Sequence, residues 1–240
     1  PEYVARAFHV SLQGRPGPVV LSLPEDMLAK ATTAPVLPRV EPVSTWPDPA
    51  ALARAGEMLA AASRPIVIAG GSGWTAASAA ALQRFAEAWE LPVGNAFRFQ
   101  DTFDNRHPLY AGDVGIGINP KLAARIREAD LVLALGVRLG EMTTSGYTLL
   151  QAPRPAQKLI HVHAGAEELG RVYAAELLLH STMDRAALAL ATLQPPAPAN
   201  RRWREHAAAA HADYEANHAA PGVAPLDMAV VVKTLARRLP

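Results

Sequence analysis

The middle of the chain alternates short, mostly apolar runs with segments of helical periodicity. The runs at 65–69, 131–135, 158–163 and 177–179 have the length of β-strands, and residues 91–96 are a further strand candidate. Strands without polar interruptions are typical of a sheet that is covered on both faces. Parallel strands also need crossovers of about a dozen residues, which the helical segments between the runs supply. We therefore predict an α/β fold for residues 49–193, a Rossmann-like parallel sheet with helices on both faces in three α/β/α layers.

Helix start signals precede several of the periodic segments. Asp48 is a predicted N-cap, and Pro49 suits the first helical position because an N–H there would have no partner within the helix. The helix that follows carries an apolar stripe at Leu52, Ala55, Leu59 and Ala62. Further helices are predicted for about 75–90, from Asn119 and Pro120 onwards, and up to Leu193 behind an N-cap at Ser181.

Both ends of the chain contain elements without a partner close by in the sequence. Residues 2–12 have helical periodicity, and after a Gly/Pro break the run at 19–23 predicts a short strand. Residues 228–239 predict an amphipathic helix at the other end. Such isolated elements cannot build a core, so we expect 1–30 to be the tail of one neighbouring domain and 225–240 the start of another. The alternative is that both helices dock on the central domain.

Two proline-rich segments separate these ends from the central domain. The first covers residues 31–48, and prolines stand at 35, 38, 42, 47 and 49. This density of prolines predicts an extended linker. The second linker covers 194–224 and contains a helix whose apolar face is formed by Trp203, Ala207, Ala210 and Tyr214.

Composition and charge exclude several classes of protein. Half of the residues are hydrophobic, 19% are charged, and the net charge is +1. These values argue against a strongly basic nucleic-acid binder and against electrostatic binding to a membrane. No apolar run is long enough to cross a bilayer, and no signal peptide is evident. The absence of cysteine excludes disulfides, thiolate metal sites and a cysteine nucleophile. We expect a soluble, cytoplasmic protein.

The loops that follow the predicted strands contain the candidate binding residues, because ligands of open parallel sheets lie at the carboxyl ends of the strands. Gly70, Gly71 and Gly73 precede a helix, so they could expose backbone N–H groups to an anion, or they could be needed only for a tight turn. Gly136 and Arg138 follow the next buried strand of the pattern. Arg138 could hold a phosphate or stack on an adenine, or it could pair with a carboxylate such as Glu141.

His161 and His163 lie two residues apart on one predicted strand and therefore share a face. Two imidazoles so placed could bind a metal, but no third ligand is evident nearby in the sequence. The alternative is that both are hydrogen-bonded or hydrated residues near the open end of the strand. No nucleophile elbow, P-loop or zincin motif occurs in the sequence. We predict no catalytic residue and no metal ligand in this chain.

Five blocks of the sequence, in order, resemble thiamine-diphosphate-dependent enzymes of the acetolactate synthase type. They are Arg-Pro-Gly-Pro-Val-Val-Leu-Ser-Leu-Pro-Glu-Asp-Met (15–27), Arg-Pro-Ile-Val-Ile-Ala-Gly-Gly-Ser-Gly (64–73), His-Pro-Leu-Tyr-Ala-Gly-Asp-Val-Gly (107–115), Ala-Asp-Leu-Val-Leu-Ala-Leu-Gly-Val-Arg-Leu (129–139) and Lys-Leu-Ile-His-Val-His (158–163). The resemblance implies a pyrimidine-binding domain before the central domain and a diphosphate-binding domain after it. It also implies a parent enzyme that uses thiamine diphosphate and Mg²⁺, acts on a small 2-oxo acid, and assembles as a homodimer or homotetramer.

The resemblance places the catalytic machinery outside this chain. The family's activating Glu belongs to the pyrimidine domain and its Gly-Asp-Gly motif to the third domain, and Gly112-Asp113-Val114 is not that motif. We therefore expect this chain alone to be inactive. In the family, the central domain binds FAD, ADP or no nucleotide. The candidate cofactor-binding residues in this chain are Gly70, Gly71, Gly73, Gly136, Arg138 and His163.

Three departures from the family pattern affect that nucleotide site. The family's Arg-Phe-Asp-Asp-Arg is replaced by 138–142, its His-Ile-Asp-Ile-Asp by 161–165, and its Met-His by Ile116 and Gly117. Each lost hydrogen-bond partner costs about 1–3 kcal/mol. We therefore expect weak or no FAD binding and a structural central domain. The alternative is a stand-alone FAD- or ADP-binding module without catalysis.

Overall fold

The computed structural model describes residues 1–196, 201–219 and 227–239. Its strands are β1 (Pro65–Ala69), β2 (Val93–Ala96), β3 (Tyr110–Val114), β4 (Leu131–Leu135), β5 (Lys158–His163) and β6 (Leu177–His180). They form one sheet in the order β3-β2-β1-β4-β5-β6, and every neighbouring pair is parallel. The helices are α1 (Glu2–Leu12), α2 (Glu25–Leu28), α3 (Pro49–Ala61), α4 (Ala76–Trp89), α5 (Pro120–Glu128), α6 (Met183–Leu190), α7 (Arg201–Ala219) and α8 (Met228–Arg238).

Helices cover both faces of the sheet, which confirms the predicted three-layer α/β/α fold. Successive residues of a strand point to opposite faces, so each strand contributes to two cores. Val67 and Ala69 of β1 pack on one face with residues of α3, α4 and α6. Ile66 and Ile68 pack on the other face with residues of α5 and of the loops that follow β4.

The predicted N-cap at Asp48 is confirmed, and the helices predicted from about 75 and from Asn119 also begin behind capping side chains. The side chain of Asp48 accepts a hydrogen bond from the N–H of Ala51, and that of Asn119 accepts one from Lys121. Thr75 forms a reciprocal capping box at the start of α4. The prediction for Ser181 is wrong, because its hydroxyl donates to the carbonyl oxygen of Thr45 at 2.8 Å. The last helix of the central domain consequently begins at Met183, behind Thr182, and it ends at Leu190 rather than Leu193.

The strand predictions were correct for the apolar runs and wrong in two other places. All five strands predicted for the central domain are present. The sequence Tyr-Ala-Gly-Asp-Val, which forms β3, was missed because it contains Gly and Asp instead of a continuous apolar run. The predicted strand at 19–23 is absent, because the structure provides no strand beside it, and the side chain of Val20 is 91% exposed.

The segment at 31–48 contains no helix or strand and contacts the carboxyl end of β6. Thr45 bonds to Thr182 through backbone and side-chain groups, at 3.1–3.3 Å. Ser44 donates to Asp184, and the Trp46 ring stacks on the Arg185 guanidinium at 5.2 Å. These contacts hold the predicted linker against the start of α6.

α7 lies against β3, the edge strand of the sheet, and against α5. The indole of Trp203 is buried, stacks on Trp89 at 5.9 Å and donates to the carbonyl oxygen of Ala62. Farther along α7, His211 donates to the carbonyl oxygen of Tyr110 at 2.9 Å. The predicted apolar face of this helix is confirmed, since Trp203, Ala207 and Ala210 are buried and Tyr214 is partly buried.

The assignment of residues 1–30 and 225–240 to neighbouring domains stays a prediction, and part of the second segment lies outside the described residues. No helix within the described ranges is both long enough and apolar enough to cross a membrane.

Candidate functional site

The sheet order reverses direction between β1 and β4, and such a switch point is where open α/β sheets bind ligands. The loop after β1 and the loop after β4 meet there. All six candidate residues lie in these two loops or at the end of β5. The topology therefore brings together residues that are up to 93 positions apart in the sequence, from Gly70 to His163.

At Gly70, Gly71 and Gly136 the backbone is packed so closely that a side chain would clash with neighbouring atoms. Gly71 and Gly136 both have positive φ, +77° and +70°. A Cβ atom on Gly71 would lie 1.9 Å from the carbonyl oxygen of Gly136, and one on Gly136 would lie 2.4 Å from the carbonyl oxygen of Gly70. This close approach requires glycine whether or not a ligand binds. The geometry therefore favours the steric alternative for Gly70, Gly71 and Gly136.

Gly73 differs from these glycines because it faces an open cleft. A Cβ atom on Gly73 would have no neighbour within 4 Å. The cleft has a volume of about 450 Å³ and is bordered by Trp74, Arg98 and Asp101. It lies at the start of α4, where the Thr75 capping box already satisfies two backbone N–H groups. Fewer backbone N–H groups at the start of α4 are thus available to bind an anion.

Arg138 forms an ion pair, but its partner is not Glu141. Its Nε atom lies 3.1 Å from the Oε1 atom of Glu168, in the 3₁₀ turn after β5. Arg171 reaches the same oxygen at 3.0 Å, and Arg15 reaches it at 3.1 Å from the N-terminal segment. Three guanidinium groups thus surround one carboxylate, and these four groups together carry a net charge of +2.

The Glu168 carboxylate is held in its charged form. Its side chain is only 5% exposed, and burial by itself would raise the pKa. The charge and hydrogen bond of Arg138, with the charges of Arg171 and Arg15, outweigh burial and lower the pKa of Glu168 below its ordinary value. Charge-assisted hydrogen bonds of this kind are among the stronger polar contacts in proteins.

Both strand histidines are buried and hydrogen-bonded to the backbone. His161 Nε2 lies 2.9 Å from the carbonyl oxygen of Val137, so that nitrogen donates. His163 Nδ1 lies 2.9 Å from the backbone nitrogen and 3.1 Å from the carbonyl oxygen of Gly165, so the backbone of Gly165 offers this ring nitrogen both a donor and an acceptor. Burial lowers the pKa of both rings and favours their neutral forms. The arrangement agrees with the hydrogen-bonded alternative rather than with a metal site.

The described residues do not fit a magnesium–diphosphate site. Mg²⁺ prefers oxygen ligands, yet within the described ranges no group of three or more His, Asp or Glu side chains is placed to hold a metal. Asp113 lies on β3, where the amide of Gln100 donates to its carboxylate and burial raises its pKa. We therefore derive no catalytic step through thiamine diphosphate from these residues.

Sequence reasoning missed Glu168, Arg171 and Arg15 as parts of the cluster around Arg138. Arg15 and Glu168 are 153 positions apart, so no local pattern links them. The one available signal was that an arginine just after a buried strand often pairs with a carboxylate, and that Glu168 follows the neighbouring strand. Nucleotide binding by the six candidate residues stays a prediction.

The comparisons with known proteins agree on one family. Residues 52–190 match the family model described as the central domain of thiamine pyrophosphate enzymes. The acetolactate synthase isozyme 2 large subunit of Escherichia coli K12 is 28% identical over 241 residues, which cover 100% of this chain and 42% of that protein. Glyoxylate carboligase of E. coli O157:H7 is 31% identical over 195 residues, which cover 79% of this chain and 32% of that protein.

Solved structures give the same result. A structure described as a thiamin diphosphate-dependent enzyme from Mycobacterium smegmatis has a TM-score of 0.66 at 26% identity, and the match covers 82% of this chain and 38% of that one. Benzoylformate decarboxylase from Polynucleobacter necessarius has a TM-score of 0.65 at 24% identity, over 83% of this chain and 37% of that one, and supports the fold alone. This chain spans less than half the length of these relatives. Because the family model matches more than half of the chain, the chain belongs to the thiamine pyrophosphate enzymes and contains their central domain.

Proposed function

We propose that this chain is the middle part of a thiamine-diphosphate- and Mg²⁺-dependent enzyme that decarboxylates a small 2-oxo acid and joins the product to a second carbonyl compound. The observation that carries the proposal is the alignment of the entire chain with the acetolactate synthase large subunit. The similarity to glyoxylate carboligase, whose name also describes a carbon–carbon ligation, supports the same reaction class.

Within that enzyme, the central domain is a scaffold that does not itself bind a nucleotide. The packing of Gly71 against Gly136 supports this role, since it places protein atoms at the switch point. The pairing of Arg138 with a buried Glu168 also supports it, because the guanidinium already has an anionic partner. The cofactor supplies the chemistry of decarboxylation, and the scaffold positions the domains that hold it.

The test is an assay of CO₂ release from pyruvate and glyoxylate in the presence of thiamine diphosphate and Mg²⁺. We expect this chain alone to give no turnover above a buffer control. The protein carrying the flanking pyrimidine and diphosphate domains should turn over, and removal of either cofactor should abolish its activity. Turnover by this chain alone, or activity of the longer protein without the cofactors, would contradict the proposal. Light scattering of the longer protein tests the expected homodimer or homotetramer.

The second candidate is a nucleotide-binding module, and the open cleft beside Gly73 favours it. Arg98 borders that cleft and offers a cation to a phosphate group. Titration with FAD and with ADP separates the two candidates. A scaffold should show no saturable binding at micromolar ligand and no rise in melting temperature. Saturation in that range would favour the second candidate.

A further inference from the structure

The arginine cluster around Glu168 has the composition of an anion-binding site. Arg138 comes from the loop after β4, and Arg171 follows the 3₁₀ turn after β5. Arg15 arrives from the N-terminal segment, where Gly14 packs against the backbone of Ala164 and Gly165. Guanidinium groups bind phosphate and carboxylate oxygens in the same geometry. The carboxyl ends of parallel strands are also where phosphate-bearing ligands of such sheets lie.

The anion that these arginines hold is part of the protein. All three guanidinium groups approach one oxygen of Glu168 at 3.0–3.1 Å. The carboxylate is almost completely buried, whereas the three arginine side chains are 43–55% exposed. One carboxylate neutralises one of three positive charges. The exposed sides of the guanidinium groups therefore keep donors and a positive potential directed toward solvent.

A small cavity adjoins the cluster. Its volume is about 80 Å³, and Arg138, Arg171, His161 and Tyr173 contribute to its lining. Pockets for small organic ligands begin at roughly 300 Å³, so this cavity does not enclose a whole nucleotide, and an anion would approach the arginines from their exposed sides. The charge of the Glu168 carboxylate thus offsets the positive charge that would attract an external anion to these arginines.

We propose that Glu168 is a built-in anion that closes a latent phosphate site formed by Arg138, Arg171 and Arg15. This inference deepens the proposed scaffold role, since it names the residue that keeps the strand-end arginine from binding a phosphate group. Neutralising Glu168 leaves three guanidinium groups without their counter-ion, and the site then accepts inorganic pyrophosphate or the diphosphate of a nucleotide.

The experiment compares this chain with its Glu168→Gln and Glu168→Ala variants by calorimetric titration with pyrophosphate and with ADP. Glu168→Gln keeps the shape of the side chain and removes only its charge, so it tests the proposal even where the smaller alanine prevents folding. We expect pyrophosphate affinity to rise about tenfold or more over the wild type, because charge-assisted hydrogen bonds then form with the ligand. An equal gain for ADP would identify a nucleoside diphosphate as the ligand that fits, and a gain for pyrophosphate alone would identify free phosphates.

Glu167→Gln is the matched control, because it removes the same charge from the neighbouring, exposed position. It should leave pyrophosphate affinity at the wild-type value. Adding Arg138→Ala to Glu168→Gln should abolish the gain. The proposal is overturned if Glu168→Gln binds pyrophosphate no better than the wild type, or if the gain survives the loss of Arg138. These binding measurements use this chain alone and do not depend on the activity of the longer protein. Failure of the proposed enzyme function and failure of the proposed role of Glu168 are therefore distinguishable.

Discussion

At the scale of single residues, the switch point depends on glycines that serve different purposes. Gly71 and Gly73 both have positive φ, +77° and +86°, and they are two positions apart in one loop. Only Gly71 lies against a backbone atom, the carbonyl oxygen of Gly136. The pair therefore separates the effect of a left-handed conformation from the effect of close packing.

We predict that Gly71→Ala lowers the free energy of unfolding by about 3 kcal/mol, because it adds a backbone clash to the conformational cost. Gly73→Ala should lower it by only about 1–2 kcal/mol, since its Cβ atom enters open space. Urea denaturation of both variants measures the difference. Equal losses of stability in the two variants would show that the positive φ alone, and not the backbone clash, makes alanine unfavourable in this loop.

The candidate site was only partly predictable from the sequence. Arg138 could be identified because it follows a buried strand, and pairing with a carboxylate was one of two open alternatives. The identity of that carboxylate was out of reach, since Glu168 becomes a neighbour only when β4 and β5 pair. The role of the glycines was ambiguous for the same reason, because the close contact between the two loops exists only in the folded sheet.

At the scale of elements, α7 shows how a helix far along the chain completes the domain. Its first turns bury Trp203 beside Trp89, and its later turns place Asp213 against Lys121 and Arg125 of α5. These contacts combine apolar burial with charge pairing. The helix is therefore held along its length rather than at one point.

We predict that Trp203→Ala lowers the free energy of unfolding by about 3–5 kcal/mol, because it removes a buried ring and an indole hydrogen bond. Trp46→Ala is the matched control. Trp46 is 57% exposed and contacts Arg185, so its loss should cost about 1 kcal/mol or less. Guanidinium denaturation followed by far-UV circular dichroism measures both. Similar losses for the two variants would contradict the assigned role of α7.

Element prediction succeeded where local signals were strong. The N-cap at Asp48, the helix starts near 75 and 119, and the five predicted strands of the central domain required no knowledge of their neighbours. β3 could not be recognised, because Gly112 and Asp113 interrupt its apolar pattern and its stability comes from β2 and α7. The run at 19–23 failed for the opposite reason, since its strand-like composition has no strand to pair with.

At the scale of the whole molecule, the buried residues His161 and His163 and the partly buried His206 link stability to pH. Burial is the largest cause that lowers the pKa of His161, His163 and His206 below the ordinary value of 6.5. Above 6.5, these rings are neutral in the folded and unfolded chain, and they do not affect stability. Below 6.5, the unfolded chain binds protons first, so stability falls as the pH decreases toward the lowered values.

We therefore predict that the urea midpoint falls as the pH drops below 6.5, before the carboxylates titrate. His206→Gln should make this fall shallower, because Nε2 of His206 is buried without a hydrogen-bond partner among the described residues. A urea midpoint that does not change between pH 6.5 and the range in which carboxylates titrate would refute the assignment of this pH dependence to the histidines.

The position of α7 over β3 also affects the tendency of the protein to self-associate. A strand at the margin of a sheet carries unused amide and carbonyl groups that another polypeptide can recruit. His211 occupies one of these groups, the carbonyl of Tyr110, and the body of the helix shields the rest of that margin. Damage to α7 should therefore appear first as self-association through β3, well before the parallel sheet itself comes apart.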